Sequence, residues 1–357
     1  MNLFYASFIP GLQNIVSQVI KERLSDVKVL KLLDGAVLFE TDTSYDKLNF
    51  LCFNNIFAVI SIKEEVQAKT QRRKEYEEAI LESNIRCFLN GCRKTEIIAN
   101  NNKNFKTFRI VIFNENKPVA INERLRSEAE QYIERFSGLK VNRTLADTEF
   151  WFLYRNEKAG NEKNFSIFMK RLTLRPSWEK TLHKGELPPP LAWTLCRLAS
   201  LSHSDTVLDP FCGYGSIPEA AMKHFHITNF AACDNNREAV MYTAVRFKKR
   251  KPGEFIIHQT DIFKLPSFIA EKSIDAIITD PPWGNFKEIK DNNFYKKMFD
   301  IFSKLLKDNG RVVVLFANDE QAKTEFFKAA TLFFELKEFL PILLSGKKAI
   351  VFVFERC

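Results

Sequence analysis

Asp280-Pro281-Pro282-Trp283-Gly284 places a carboxylate, two rigid prolines and an aromatic ring at the end of the apolar run Ile274 to Thr279. These groups suit one chemical task. A planar amine conjugated with a ring is a poor nucleophile. Acceptors for its two N–H groups improve it, and an aromatic face holds its ring in place. Asp280 and the Pro281 carbonyl are the acceptors, Pro282 stiffens the strap, and Trp283 is the stacking face. Asp-Pro-Pro also ends strands in plain turns, so the motif needs a second signal.

That signal lies upstream. Thr206-Val-Leu-Asp209 is a short apolar strand running into Pro210-Phe211-Cys212-Gly213-Tyr214-Gly215-Ser216, and a helical run from Ile217 to Phe225 follows. Glycines at a strand-to-helix turn let backbone approach a ligand closely, with the helix N-terminus beyond. Asp234 closes the next strand, Phe230 to Asp234, where an acid takes two ribose hydroxyls. Asp261 closes Phe255 to Thr260, where it meets an adenine amine. A dinucleotide fingerprint has a third glycine where this chain has Pro218, and the Gly-Lys-Ser/Thr of a P-loop is absent. What remains is the D-x-F-x-G-x-G pattern of S-adenosylmethionine enzymes. A doubly wound domain with an empty crevice is the alternative.

With these residues the chain resembles the class I RNA methyltransferases, and more narrowly the THUMP-domain group that forms N2-methylguanosine. The likeness rests on Leu208 to Ala221, on Asp280 to Gly284, and on Lys184-Gly-Glu-Leu-Pro-Pro-Pro190. It is carried more weakly by Ala129 to Val141 and Asp147 to Tyr154. It implies a C-terminal seven-stranded Rossmann-like α/β sheet with a reversed last strand, and S-adenosyl-L-methionine as cofactor. It implies catalytic roles for Asp280, Pro281, Pro282 and Trp283. Cofactor contacts would come from Asp209, Phe211, Gly213, Gly215, Ser216, Asp234, Asn235, Asp261, Ile262, Leu187 and Pro188. The implied substrate is an acceptor-stem guanine of tRNA, with a THUMP module on the acceptor end. Trp283 departs from the Tyr or Phe often found at that place, which leaves adenine N6 or an rRNA guanine open. A non-catalytic RNA-binding or partner-activating protein that kept the fold is the third reading.

A chain of 357 residues suggests two or three domains. Its 45% apolar and 27% charged residues are those of an ordinary soluble protein. With no apolar run of about eighteen residues and no basic-plus-apolar leader, the cytoplasm is the expected compartment. The seven cysteines include no C-x-x-C pair, so neither a disulfide framework nor a zinc site is indicated. A cysteine nucleophile for carbon methylation would be expected at the place of Trp283 or in another suitable loop; the first of these has none, which favours nitrogen as methyl acceptor. The net charge is +9, and residues 101–200 hold 18 Lys+Arg against 11 Asp+Glu. Lys170, Arg171, Arg175, Lys180 and Lys184 are therefore the expected phosphate contacts of an RNA. The second basic run, Arg246 to Lys251, is better read as a helix end, where cations suit the dipole.

The elements that must position these residues follow from periodicity. Strands over Asn2 to Phe8, Val27 to Leu33, Ala36 to Thr41 and Ile56 to Ile62, with helices over Leu12 to Leu24 and Tyr45 to Phe53, give a ferredoxin-like domain at 1–65. A mostly helical stretch, Lys63 to Leu89, leads into a THUMP RNA-binding domain at 66–175. That domain has strands over Thr107 to Phe113, Glu149 to Tyr154 and Phe165 to Leu172, and a helix over Asn122 to Phe136. Residues 176–357 alternate helix and strand as a parallel sheet with crossover helices does. They end in a helix over Gln321 to Phe333 and a hairpin of Leu336 to Leu343 with Ala349 to Glu355.

Overall fold

The computed structural model describes residues 2–44, 47–48, 50–66, 73–91, 104–115, 117–156, 163–173, 182–283, 293–344 and 346–356. They form two compact units, Met1–Ser7 with Ser17–Pro176, and Phe8–Val16 with Ser177–Cys357. The second sheet's hairpin holds the Phe8–Val16 segment, with the Leu343 N–H donating to Pro10 O at 3.1 Å.

The first unit is a single nine-stranded sheet. Its strands are β1 (Asn2–Ser7), β2 (Lys28–Leu33), β3 (Ala36–Thr41), β4 (Asn55–Val66), β5 (Thr107–Asn114), β6 (Lys117–Pro118), β7 (Lys140–Val141), β8 (Thr148–Asn156) and β9 (Lys163–Arg171). They lie in the order β2-β3-β1-β4-β9-β8-β5-β6, with β7 on β5. The first four strands keep the ferredoxin-like order. The helix expected over Tyr45 to Phe53 is absent from the described part of that segment. Lys47, Phe50 and Phe53 bond two or three residues back, to Ser44, Leu48 and Phe50, as turns do. Burial of Leu48, Cys52 and Phe53 holds the turns instead.

Helix α1 (Gln13–Arg23) follows β1 in the chain, and helices α2 (Arg73–Gly91) and α3 (Glu123–Ser137) accompany this sheet. Asn122 caps α3 by accepting from the Arg124 N–H, and left-handed Gly138 ends it. One sheet face meets α2 and α3 through Phe108, Phe150, Phe152 and Phe168. The other face curls on itself. Lys31 of β2 reaches Glu64 of β4 at 3.2 Å and lies 5.3 Å over the Phe165 ring of β9, although neither strand neighbours β2. Register shifts at Val29/Lys31 and Val59/Ser61 supply the bend. Tyr5, Leu38, Phe57, Val59, Ile167 and Met169 fill the resulting trough.

In the second unit α4 (Pro189–Leu198) opens the alternation. It continues with β10 (Thr206–Asp209), α5 (Ser216–His224), β11 (Asn229–Asp234), α6 (Arg237–Phe247), β12 (Phe255–Gln259), a 3₁₀ turn (Ile262–Ser267) and β13 (Ile274–Thr279). Then come α7 (Phe294–Leu305), β14 (Leu306–Ala317), α8 (Glu320–Ala330), β15 (Phe334–Leu344) and β16 (Lys347–Arg356). The order is β12-β11-β10-β13-β14-β16-β15, with β16 antiparallel to both neighbours. These are the seven strands and the reversed last strand that the sequence predicts. The helix expected to reach Phe333 stops at Ala330, because Phe334 already pairs with Arg356. From β10 the chain steps outward to β11 and β12, then returns to β13 on the other side. A crevice opens at such a switch point, outside the carboxyl ends of the strands.

At the trough's end Glu149 takes hydrogen bonds from Arg171 Nη1 (2.9 Å), Arg109 Nε (2.8 Å) and Trp151 Nε1 (2.9 Å). Burial opposes its charge, but these donors outweigh burial and hold the Glu149 carboxyl below its usual range. Glu149→Ala leaves two guanidinium groups facing each other, one of them on Arg171, which is only 5% exposed. Breaking such a buried pair costs about 3–5 kcal/mol. Urea unfolding followed by tryptophan emission should show that loss, with Trp151 reporting at the site.

Candidate functional site

The glycine turn is built by the residues around it. Cys212 N–H donates to Cys233 O at 2.8 Å, which fastens the turn to β11. Gly213 and Gly215 have φ of +49° and +87°, a region that L side chains rarely adopt. A Cβ on Gly215 would stand 3.0 Å from Thr243 Cγ2, whereas one on Gly213 would meet none of the described atoms within 4 Å. One glycine thus serves packing and the other faces open space. The Gly213 N–H donates to Asp234 Oδ2 at 2.9 Å and its carbonyl accepts from Thr243 Oγ1 at 2.9 Å. Asp234 Oδ1 accepts from the Asn236 N–H at 2.8 Å. Each Asp234 oxygen therefore has one backbone donor and keeps a lone pair for a hydroxyl.

The segment before α4 locks onto this turn through a network that sequence reasoning missed. Glu186 Oε2 accepts from the His183 N–H at 3.0 Å; Glu186 Oε1 accepts from Ser216 Oγ at 3.3 Å and Arg246 Nη1 at 2.9 Å. Arg246 also donates to the Tyr214 carbonyl at 2.8 Å and to Glu219. Arg246 is in the last turn of α6, as expected, and is also the clamp of the glycine turn. Its partners are sixty and twenty-seven residues away, so no local spacing announces them.

These parts enclose a cavity of about 280 Å³. Asp209, Phe211, Gly213, Ser216, Asp234, Asn235, Asp261, Ile262 and Leu187 all line it, as do Asp280 and Pro282. Gly215 caps α5, Pro188 caps α4, and neither they nor Pro281 and Trp283 are among the lining residues. Asp261 lines it while accepting from the Phe263 N–H at 2.9 Å. Phe294 lines the cavity without having been expected there. Lys184 is exposed beside Gly185 of the rim.

Two other expected phosphate contacts are not on the surface. Lys170 and Arg171 are 7% and 5% exposed. Lys170 Nζ lies 5.8 Å over the Phe150 ring, and burial pulls it down to about 8; Arg171 serves Glu149 and Asn55. Strand alternation turned them into the sheet's two packed faces, which a charge count cannot register. Arg175 and Lys180 lie outside the described residues.

Two carboxyls, buried Asp209 and half-buried Asp280, mark the cavity floor. Asp209 Oδ1 accepts from Thr279 Oγ1 at 2.8 Å and from the Phe211 N–H at 3.2 Å, while Oδ2 has no partner among the described residues. Burial pushes Asp209 up to about 8, aided by the charges of Asp234 and Asp280 and opposed by its two donors. Burial likewise pushes Asp280 up to about 7, against the Trp283 indole N–H at 2.8 Å. The wall therefore offers mostly acceptors to a ligand rich in hydroxyl and amine donors and carrying positive charge. An S-adenosylmethionine-type nucleoside fits that description, with open backbone at Gly213 and an unpartnered oxygen on Asp209 to receive it. Among the described residues no group of three His, Cys, Asp or Glu side chains is placed to hold a metal ion.

Both carboxyls have a folded pKa above the unfolded value of about 4. Their contribution to stability is complete below that value and is lost as pH rises through about 7 and 8. Asp209→Asn removes the larger share. Its melting temperature should depend less on pH between about pH 4 and 8 than that of the unaltered protein, as differential scanning fluorimetry across that range would show.

Residues 176–338 match the UPF0020 family (RMKL-like, methyltransferase domain). A tRNA (guanine(10)-N2)-dimethyltransferase of Methanocaldococcus jannaschii is 30% identical over 145 residues, 39% of this chain and 40% of that protein. A probable tRNA (guanine(10)-N2)-dimethyltransferase of Methanothermococcus thermolithotrophicus is 30% identical over 128 residues, 34% of this chain and 76% of that one. The chain thus spans about 40% of the length of the first of these relatives. In fold it is similar to the crystal structure of TrmN from Thermus thermophilus, with a TM-score of 0.76, 20% identity and full coverage of both chains. The sheet with its reversed last strand, the crevice at its switch point and these matches agree, and the chain belongs to the RMKL-like methyltransferase family.

Proposed function

We propose that the protein is an S-adenosylmethionine-dependent RNA methyltransferase acting on the N2 amine of a guanine in tRNA. The observation that carries this reading is Asp280, a half-buried acceptor at the crevice floor, one strand over from the glycine turn. When bound, the cofactor supplies an activated methyl group. Asp234 holds the ribose hydroxyls, Asp261 the adenine amine, and Gly213 with Leu187 the methionine end. Asp280 and the Pro281 carbonyl accept from the amine N–H groups and align its nitrogen, and the apolar wall of Phe211 and Phe294 excludes water. A base in a duplex is flipped out to reach this depth.

The acceptor chemistry favours guanine. The guanine amine sits beside an N1–H donor, so an ionised carboxylate meets two donors on one edge. The adenine amine sits between ring nitrogens whose lone pairs repel that carboxylate. The tRNA substrate is supported by the names of two curated relatives, a tRNA (guanine(10)-N2)-dimethyltransferase and a probable one. A THUMP module in the first unit binds the tRNA acceptor end. The stretch that resembles it, Ala129 to Val141 with Asp147 to Tyr154, corresponds to α3, β7 and β8. Lys184, exposed and adjacent in the chain to Gly185 of the crevice rim, is the residue we assign to phosphate. No helix among the described residues is long and apolar enough to cross a membrane, and a tRNA substrate places the work in the cytoplasm.

The test is methyl transfer from labelled S-adenosylmethionine to total RNA from cells lacking the gene, with mass spectrometry of the labelled nucleosides. N2-methylguanosine in the tRNA fraction is the expected product. N6-methyladenosine, or label in rRNA alone, would displace this reading. Asp280→Ala should lower transfer at least about a hundredfold and leave affinity for S-adenosylhomocysteine nearly unchanged. Transfer by the unaltered protein should rise with pH as Asp280 ionises, with a limb at or below about 7 because the cofactor's positive charge favours the carboxylate.

A further inference from the structure

We propose that Phe294 is the ring on which the target base stacks, and that Trp283 is a positioning residue that holds Asp280 through its indole N–H. Both roles rest on the reading of this crevice as a base-methylating site. Trp283 stands where the motif puts a stacking ring, but its Nε1 donates to Asp280 Oδ1 at 2.8 Å; its ring and that of Phe294 both pack, partly buried, against the core of the sheet. Phe294, the first residue of α7, lines the crevice with Asp280 and Pro282, and Trp283 is not among the lining residues.

The neighbouring residue fixes the arrangement. Tyr295 donates its hydroxyl to Pro282 O at 3.0 Å, so the start of α7 and the proline strap form one piece. Three rings set the plane of Phe294: Tyr295 at 5.4 Å and 82°, Phe263 at 5.6 Å and 80°, and Phe211 at 6.4 Å and 47°. Half-buried Phe294 thus offers a flat, oriented apolar surface next to the carboxylate that receives the amine. The indole engages Oδ1 inside the protein and leaves Oδ2 to the amine. Asp209 on the adjacent strand is the titratable group facing Asp280, with Asp234 and Asp261 on the same crevice wall.

Phe294→Ala and Trp283→Phe separate the two roles, the second keeping a ring and deleting only the donor. Both are assayed for methyl transfer to total tRNA at saturating S-adenosylmethionine. Phe294→Ala should lower kcat/KM for tRNA roughly ten- to a hundredfold, the worth of one base–aromatic stack. Its affinity for S-adenosylhomocysteine should stay within about twofold of the unaltered protein's. Trp283→Phe should keep its alkaline rate within about threefold and move the acid limb of its pH profile upward by roughly one unit, because a lost donor raises Asp280. A fall of more than about tenfold at every pH in Trp283→Phe, with the limb unmoved, would make Trp283 the stacking ring and overturn the assignment. So would a loss of S-adenosylhomocysteine affinity in Phe294→Ala as large as its loss of transfer.

One readout needs no substrate. The Trp283 indole N–H proton resonance, identified by its absence in Trp283→Phe, should titrate with Asp280 and cease to titrate in Asp280→Asn. An indole resonance indifferent to pH and to Asp280→Asn refutes the positioning role. Absence of transfer to any RNA by the unaltered protein refutes the methylation reading instead.

Discussion

The hydrogen bond from Thr279 Oγ1 to Asp209 Oδ1 joins the tips of β10 and β13, the two strands between which the chain reverses its winding. Everything chemical in the second unit is measured from that bond. On one side of it the backbone leaves β10 into the glycine turn; on the other it leaves β13 into the proline strap. A parallel sheet can bring two such exits together only at a switch point, since elsewhere each crossover helix covers the strand end beside it. The bond also satisfies one oxygen of a carboxyl that is 1% exposed. Even with two donors, burial holds that carboxyl up at about 8, so it stays largely neutral until a positive charge lies beside it.

From this fixed point the rigidity of the site spreads outward through polar contacts that tie loops to loops. Gly213 is held by Asp234 and Thr243, and the carbonyl of Tyr214 by Arg246. Arg246 is held in turn by Glu186, whose side chain is only 4% exposed. A guanidinium is well suited to this work, because its fork can serve two carboxylates and a carbonyl at once. On the opposite wall, an indole and a phenol do the same for the strap: Trp283 fixes the Asp280 carboxylate and Tyr295 fixes the Pro282 carbonyl. The groups that touch ligand are few, and a larger set of side chains holds them still.

What the sequence disclosed was whatever is local along the chain. The strand ends at Asp209, Asp234, Asp261 and Asp280 could be read because each follows an apolar run, and the topology of such runs puts their carboxyl ends on one rim. The reversed β16 could be read because a Ser-Gly turn stood between two apolar runs. Pairing between distant segments could not be read. The contact of Arg246 with Glu186, the curl that brings Lys31 over Phe165, and the burial of Lys170 and Arg171 all depend on which strands lie side by side. The Tyr45 to Phe53 segment misled for the same reason: its apolar spacing suits a helix, and tertiary burial of a few anchors imposed turns. Trp283 was found by its motif and given a role by analogy. Only the geometry shows that its N–H is already engaged.

The distribution of charge gives these details a common logic. The chain is basic overall, at +9, yet among the described residues the crevice is walled by carboxylates with no lysine or arginine lining it. A polyanion is therefore attracted to the protein but repelled from the cavity itself, and a base enters only as the uncharged part of the polymer, turned away from its phosphates. A cationic nucleoside is welcome in the same space. Burial sharpens the contrast, because Asp209 and Asp280 are raised toward neutrality when the cavity holds no positive charge. A cation beside them favours their ionised forms. The strength of Asp280 as an acceptor for an amine is therefore coupled to what lies next to it. That coupling would order the two ligands, since the carboxylate that must receive the base is best prepared when a positive charge is already in place.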